Sequence, residues 1–217
     1  MVYGITQRKK GKSRIKPGYI LTGVIGLWVF FIPMHGVQAM DFNDFMDIGA
    51  AFMTNLAIHE VGHQIVADEV GAKNHHIRFF AKDNGQFYFG LSSYNSIPAK
   101  SRLPYAAGGE RMSVYTFEYG LQSYREQPST YNKALLFFST VDFLSYTLVA
   151  NYLEPENEKF DPNAIRKEIG CSKELLLGFA LTKTLINTYR ISHKDANIMP
   201  LIETSRDGVL FLVGFKF

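Results

Sequence analysis

The segment from Phe45 to Val70 constrains the fold more than any other part of this 217-residue chain. Its apolar residues recur at helical spacing, and Gly71 follows as a residue suited to end a helix. The spacing therefore predicts one long amphipathic helix. The pentapeptide HEVGH stands at residues 59–63 in its second half, so its polar side chains are expected on a rigid element.

This pentapeptide has the HExxH pattern, and helix geometry explains its spacing. His59 and His63 are four residues apart on one face, so both imidazoles can reach a single ion. Glu60 lies about 100° round the helix from His59, beside the ion but outside the ligand set. A zinc ion lowers the pKa of water to about 7 and polarises a carbonyl group. The pattern therefore predicts hydrolysis of peptide bonds with zinc as cofactor and Glu60 as general base.

A catalytic zinc ion usually has three protein ligands, so a third is expected elsewhere. We predict Asp142, because an unpaired carboxylate within the apolar stretch Leu135 to Val149 would be costly. A hydrogen bond from a neighbouring hydroxyl is the other explanation of this residue. Glu110, just after Gly109, is the alternative third ligand. It needs no ion, since the dipole at a helix start already favours a carboxylate there.

The rest of the chain predicts further helices and one hairpin. Residues 77–81 and 86–94 are aromatic-rich and joined by a turn-forming stretch, which is typical of a β-hairpin. Helices are expected from Gly108 to about Arg125, over 133–153, after Pro162, and from Ser172 to about Ile191. The predicted fold class is mainly α with a β-hairpin insert. Its core is expected to be a helical zinc metalloprotease core, either embedded in a membrane or not.

The N-terminal segment has the order of a targeting sequence. Basic residues up to Lys16 precede an apolar stretch and then small residues that end at Ala39. Residues 1–39 are therefore predicted to be a signal peptide or a membrane anchor, followed by a single domain over 40–217. A retained anchor would leave the N-terminus in the cytoplasm, and either segment would send the rest into or across the cytoplasmic membrane. The net charge of +3 comes mostly from this segment, so no nucleic-acid partner is expected.

The order of these features resembles the site-2 protease family of membrane zinc metalloproteases, in a compact form. The resemblance covers roughly residues 45–153. It rests on HExxH in an apolar helix, an aromatic hairpin, the turn at residues 106–109, and Asp142 in a later apolar helix. It implies His59, His63 and Asp142 as zinc ligands and Glu60 as base. It also implies an extended segment of a membrane protein as substrate, lying along the hairpin edge.

The chain departs from that family at two of its motifs. The Ala-Gly-Pro turn of the family reads Ala-Gly-Gly at residues 107–109, and its Leu-Asp-Gly reads Val-Asp-Phe at 141–143. One alternative is therefore an exported soluble or peripheral metalloprotease with Glu110 as third ligand. Another is a membrane-associated protein without activity, in which the HExxH helix is structural or binds zinc only to hold the fold.

Overall fold

The computed structural model describes residues 41–83, 85–205 and 208–215. These residues are mainly helical with two β-hairpins, which confirms the predicted fold class of an α-rich chain with a hairpin insert. The predicted signal peptide or anchor lies outside them. The elements are, in order, α1 (Phe42–Val70), β1 (His76–Asp83), β2 (Gln86–Ser93), a 3-10 turn (Ala99–Ser101), α2 (Arg102–Ala106), α3 (Gly108–Glu126), α4 (Thr130–Leu148) with a π-helical turn (Val149–Leu153), α5 (Asp161–Ile169), α6 (Lys173–Ser192), β3 (Ile198–Ser205) and β4 (Gly208–Phe215).

Helix α1 carries the HExxH pattern, and its own sequence defines both of its ends. The carboxylate of Asp41 accepts a hydrogen bond from the backbone N–H of Asp44 at 2.8 Å, and Asp44 accepts one back at 3.4 Å. This reciprocal capping starts the helix three residues before the predicted Phe45. Gly71 ends it in the left-handed conformation with φ 73°, as predicted.

The predicted hairpin covers α1 near the HExxH pattern. Strands β1 and β2 are antiparallel, and β2 packs on α1. The hydroxyl of Ser92 on β2 donates a hydrogen bond to the backbone carbonyl of Glu60 at 3.3 Å. Strands β3 and β4 form the second antiparallel pair near the C-terminus. The first hairpin is therefore the one that bears on the site.

Helices α1, α3 and α4 pack against one another, and α1 meets α3 through backbone atoms. A Cβ atom added at Gly62 would lie 2.3 Å from the carbonyl oxygen of Gly108. One added at Gly108 would lie 2.8 Å from the carbonyl oxygen of Gly62. Both distances are too short for real atoms, so only glycine permits this approach. It brings the first turn of α3 directly beside the HExxH pattern.

A second cluster joins α2, α4, α5 and α6 and so positions the start of α5. It consists of small and apolar side chains that are almost fully buried: Ala106, Ala107, Phe143, Ile165, Leu176 and Ala180. Phe143 contributes from α4 and Ile165 from α5, so the two helices share this core. Asp161, the first residue of α5, is thereby held near α1 and α4.

Residues 130–153 form the one helix of the described segments that is long and apolar enough to cross a membrane. Half of its most apolar window is buried inside the protein, and the core helix of a soluble protein passes the same test. Asp142 lies near its middle and has polar partners on α1 and α3. This helix is therefore part of the protein core, and that holds for a membrane or an aqueous environment alike.

We predict that Gly62→Ala lowers the free energy of unfolding by about 1–3 kcal/mol, because the added methyl group must push α1 and α3 apart. Gly49→Ala is the matched control on the same helix, since nothing lies within 4 Å of a Cβ atom there. It should be stabilising by about 0.5–1 kcal/mol through helix propensity alone. Urea denaturation followed by circular dichroism measures both. Equal effects of the two substitutions would contradict the close approach.

Candidate metal centre

The two histidines of the HExxH pattern converge as predicted. His59 and His63 lie one helical turn apart on α1, and their Nε2 atoms are 3.3 Å apart. Both side chains are buried, with 5% and 2% of their surface exposed. Two imidazole nitrogens so placed can bind one ion, which is the requirement of the i, i+4 spacing.

A third side chain, Asp161, completes a group around the same point. Its Oδ2 atom lies 3.0 Å from Nε2 of His59 and 3.1 Å from Nε2 of His63. A tetrahedral zinc ion with bonds of about 2.0–2.2 Å separates its ligand atoms by roughly 3.3 Å. The three distances fit that geometry. His59, His63 and Asp161 therefore form a buried group that could hold a metal ion.

The hydrogen bond of His63 fixes which nitrogen faces this point. Nδ1 of His63 lies 2.8 Å from the carbonyl oxygen of Tyr105, a group that can only accept. Nδ1 therefore carries the proton and donates it. In the neutral imidazole this leaves the lone pair on Nε2, directed at Asp161 and available to a metal ion.

Asp142 lies on the opposite side of the His59 ring from Asp161. Its Oδ2 atom is 3.4 Å from Nδ1 of His59 and accepts a hydrogen bond from Ser113 at 2.9 Å. The Ser113 hydroxyl is itself 3.3 Å from the same Nδ1. A histidine that binds a metal ion usually directs its other ring nitrogen at a carboxylate or carbonyl group. Asp142 occupies that orienting position.

The two predicted third ligands, Asp142 and Glu110, thus lie near His59. Neither of them belongs to the group that contains His63. Asp142 forms, with His59 and Glu110, a second group with metal-ligand spacing. Glu110 is 1% exposed, and its Oε1 atom is 4.0 Å from Nδ1 of His59. The hydroxyl that bonds Asp142 belongs to Ser113 on α3, not to a neighbour on α4 as the alternative explanation supposed. Asp142 as third ligand stays a prediction, and the geometry gives Asp161 the stronger claim.

Sequence reasoning missed Asp161 because its local context explains it without an ion. It precedes Pro162 in the first turn of α5, where the helix dipole favours a carboxylate. In sequence it stands 98 residues from His63. No spacing rule relates two such positions, so only the fold, in which α5 packs on α2 and α4, reveals the contact.

The carboxylates beside the two histidines make the site favour positive charge. Burial alone would lower the pKa of His59, yet Asp142 and Asp161 raise it well above its ordinary value. Burial likewise lowers the pKa of His63, but the charge and hydrogen bond of Asp161 outweigh this and raise it. Burial would raise the pKa of Asp161, whereas the two histidines bring it down to about 2. The same field that holds protons on the imidazoles would attract a cation in their place.

Glu60 lies beside the group and outside it. Its side chain is buried, and Oε2 has no hydrogen-bond partner among the described residues. A Cβ atom added at Gly90 would lie 2.3 Å from Oε1, so the carboxylate fits under β2 only because this strand has a glycine there. Glu60, His63 and Asp161 line one cavity of about 490 Å³. That volume is in the range of small-molecule and peptide-binding clefts.

No protein-family model, curated protein or solved structure matches this chain. The site is therefore interpreted from its own geometry and donor chemistry. Two imidazole nitrogens and one carboxylate oxygen are a donor set that suits zinc and several other divalent first-row metals.

We predict that Asp161→Asn weakens zinc binding far more than Asp142→Asn does. The first substitution changes the carboxylate that faces both histidines, while loss of an orienting carboxylate typically costs about 10–100-fold in metal affinity. Competition with a chromophoric chelator gives the zinc affinity of each variant, and circular dichroism checks that each is folded. If folded Asp161→Asn stays loaded while Asp142→Asn empties, the ligand set predicted from the sequence is correct instead.

Proposed function

We propose that this chain is a zinc-dependent peptidase in which His59, His63 and Asp161 hold the ion and Glu60 is the general base. One observation carries the proposal. Three ligand atoms lie within 3.3 Å of one another at a cavity into which a buried carboxylate also faces. An ordinary histidine pair in a helical core needs neither the converging carboxylate nor the adjoining cavity.

The number of ligands favours a catalytic over a structural metal site. Structural zinc sites are closed by four protein ligands, whereas catalytic sites have three and leave one position open. The described residues supply three to the group around Asp161. A zinc ion there would supply Lewis acidity, which polarises a carbonyl group and makes water easier to deprotonate at neutral pH. This argues against the alternative of an inactive protein with a structural HExxH helix.

Glu60 would move the proton in this reaction. Water attacks the carbonyl carbon of the scissile peptide bond, and Oε2 of Glu60, which has no partner of its own, accepts the proton that the water releases. The C–N bond then breaks and the proton passes to the leaving amine. The absence of a side chain at Gly90 leaves room for this carboxylate under β2.

The cavity suits an extended peptide as substrate. Residues 90–93 of β2 line it beside Glu60, and a peptide lying along a strand gains affinity through main-chain hydrogen bonds. The other lining residues include charges of both signs, among them Arg78, Asp83, Lys159 and Glu168. A mouth of mixed charge favours polar peptide over the polyanionic backbone of a nucleic acid.

We place the activity at the cytoplasmic membrane, with a membrane or exported protein as substrate. The basic and apolar order of residues 1–39 motivates this location, as does the resemblance of the sequence over residues 45–153 to site-2 proteases. We predict that the chain remains in the membrane fraction after carbonate extraction. Its release as a soluble protein would favour the exported soluble or peripheral metalloprotease.

We predict that Glu60→Gln keeps the metal ion but lowers peptide hydrolysis by about 10²–10⁴-fold, since Glu60 transfers a proton and does not bind the ion. Glu69→Gln is the control, because Glu69 is an exposed residue of the same helix that pairs with Arg111. Casein-type substrates with and without chelator give the activity, and elemental analysis gives the metal content. Loss of metal from folded Glu60→Gln, or hydrolysis at the wild-type rate, would refute the assigned role.

A further inference from the structure

Helix α6 places a buried lysine next to the metal centre. Nζ of Lys183 donates a hydrogen bond to Oε2 of Glu110 at 2.8 Å, and the two side chains are 2% and 1% exposed. Removing two charges from water is expensive, and a buried ion pair often contributes little net stability compared with apolar residues of similar volume. The pair is therefore poorly explained by stability alone.

The second oxygen of Glu110 links this pair to His59. Oε1 has no hydrogen-bond partner among the described residues and lies 4.0 Å from Nδ1 of His59. Asp142 and Ser113 face the same nitrogen at 3.4 and 3.3 Å. Two carboxylates and a hydroxyl thus surround the nitrogen of His59 that does not face Asp161.

Lys183 is the cation that balances these two carboxylates. Its ammonium group holds Glu110 by Oε2, which leaves Asp142 as the carboxylate closer to His59. It also lies 5.5 Å from the ring centroid of Phe143, the neighbour of Asp142 on α4. His59, Glu110 and Asp142 have metal-ligand spacing too, but Glu110 already binds a cation in Lys183.

We propose that Lys183 is a positioning residue for the metal centre, acting through Glu110 on His59. By holding Glu110, it keeps Asp142 and Ser113 against Nδ1, so that the ring presents Nε2 to the point shared with His63 and Asp161. This inference rests on the proposed function, since it concerns the affinity of that same site for its ion. It adds α6 to the elements on which metal binding depends.

The chain offers a matched control on the same two helices. Arg190 of α6 pairs with Glu118 of α3 at 2.8 Å, about two helical turns from Lys183 and Glu110. Its side chain is 9% exposed, so this is also a largely buried cation. Neither residue of this second pair contacts His59 in the described structure. Arg190→Met therefore removes an ion pair between α3 and α6 without reaching the metal centre.

The test compares zinc affinity in Lys183→Met, Arg190→Met and the double variant Lys183→Met/Glu110→Gln. The double variant leaves no uncompensated charge of the pair, so it keeps the test valid if the single variant fails to fold. We expect the folded lysine variants to bind zinc about 10–100-fold more weakly than wild type, the effect usual for residues that orient a ligand. Arg190→Met should bind zinc with the affinity of wild type. This should hold even if its thermal unfolding midpoint falls as far as that of the lysine variants.

Cobalt substitution supplies a second measurement that a purely structural role would not affect. The visible absorption of bound Co²⁺ reports the geometry of its ligands and should change in the folded double variant but not in Arg190→Met. If the folded double variant binds zinc and Co²⁺ as wild type does, or if both pairs weaken binding equally, the inference is overturned. If wild type binds neither ion, the proposed function fails first. The two failures are thus distinguishable.

Discussion

The backbone contact between α1 and α3 at Gly62 and Gly108 is the constraint on which the metal centre depends. Gly62 stands inside the HExxH pattern, so the helices meet where the ligands are. The approach also brings Gly109 against the ring of His59, where an added Cβ atom would lie 2.3 Å from Nε2. One turn further along α3, Ser113 reaches the opposite nitrogen of that ring. Larger side chains at these glycines would separate the helices and remove His59 from its partners.

The electrostatics of the site follow from this close packing. Carboxylates outnumber cationic side chains in the buried region, which contains His59, His63, Glu60, Glu110, Asp142, Asp161 and Lys183. Lys183 balances one carboxylate. Asp142 and Asp161 also raise the pKa of His59, and Asp161 raises that of His63, so the carboxylates favour positive charge on the imidazoles. A divalent ion bound there would replace positive charge on the imidazoles, so its binding would release protons.

The sequence is most informative where local chemistry determines the structure. Helical periodicity and a terminal glycine defined α1, and the hydroxyl of Ser172 caps α6 as its position predicted. The HExxH spacing predicted that both imidazoles meet, because that depends on one helix alone. Lys183 could not be found in this way. A lysine in the middle of a helix ordinarily lies on a solvated face, and only the packing of α6 on α3 and α4 buries it.

Asp142 shows how a correct physical premise can point to a different role. A carboxylate in an apolar helix needs a partner, and Asp142 has two, His59 on α1 and Ser113 on α3. The sequence does not reveal which ring nitrogen of His59 the Asp142 carboxylate faces. Asp142 lies at Nδ1 whereas Asp161 lies at Nε2, and of the two carboxylates only Asp161 also lies close to His63. If Asp161 is the ligand, the third ligand comes from α5 and not from the apolar helix α4, where the sequence predicted it.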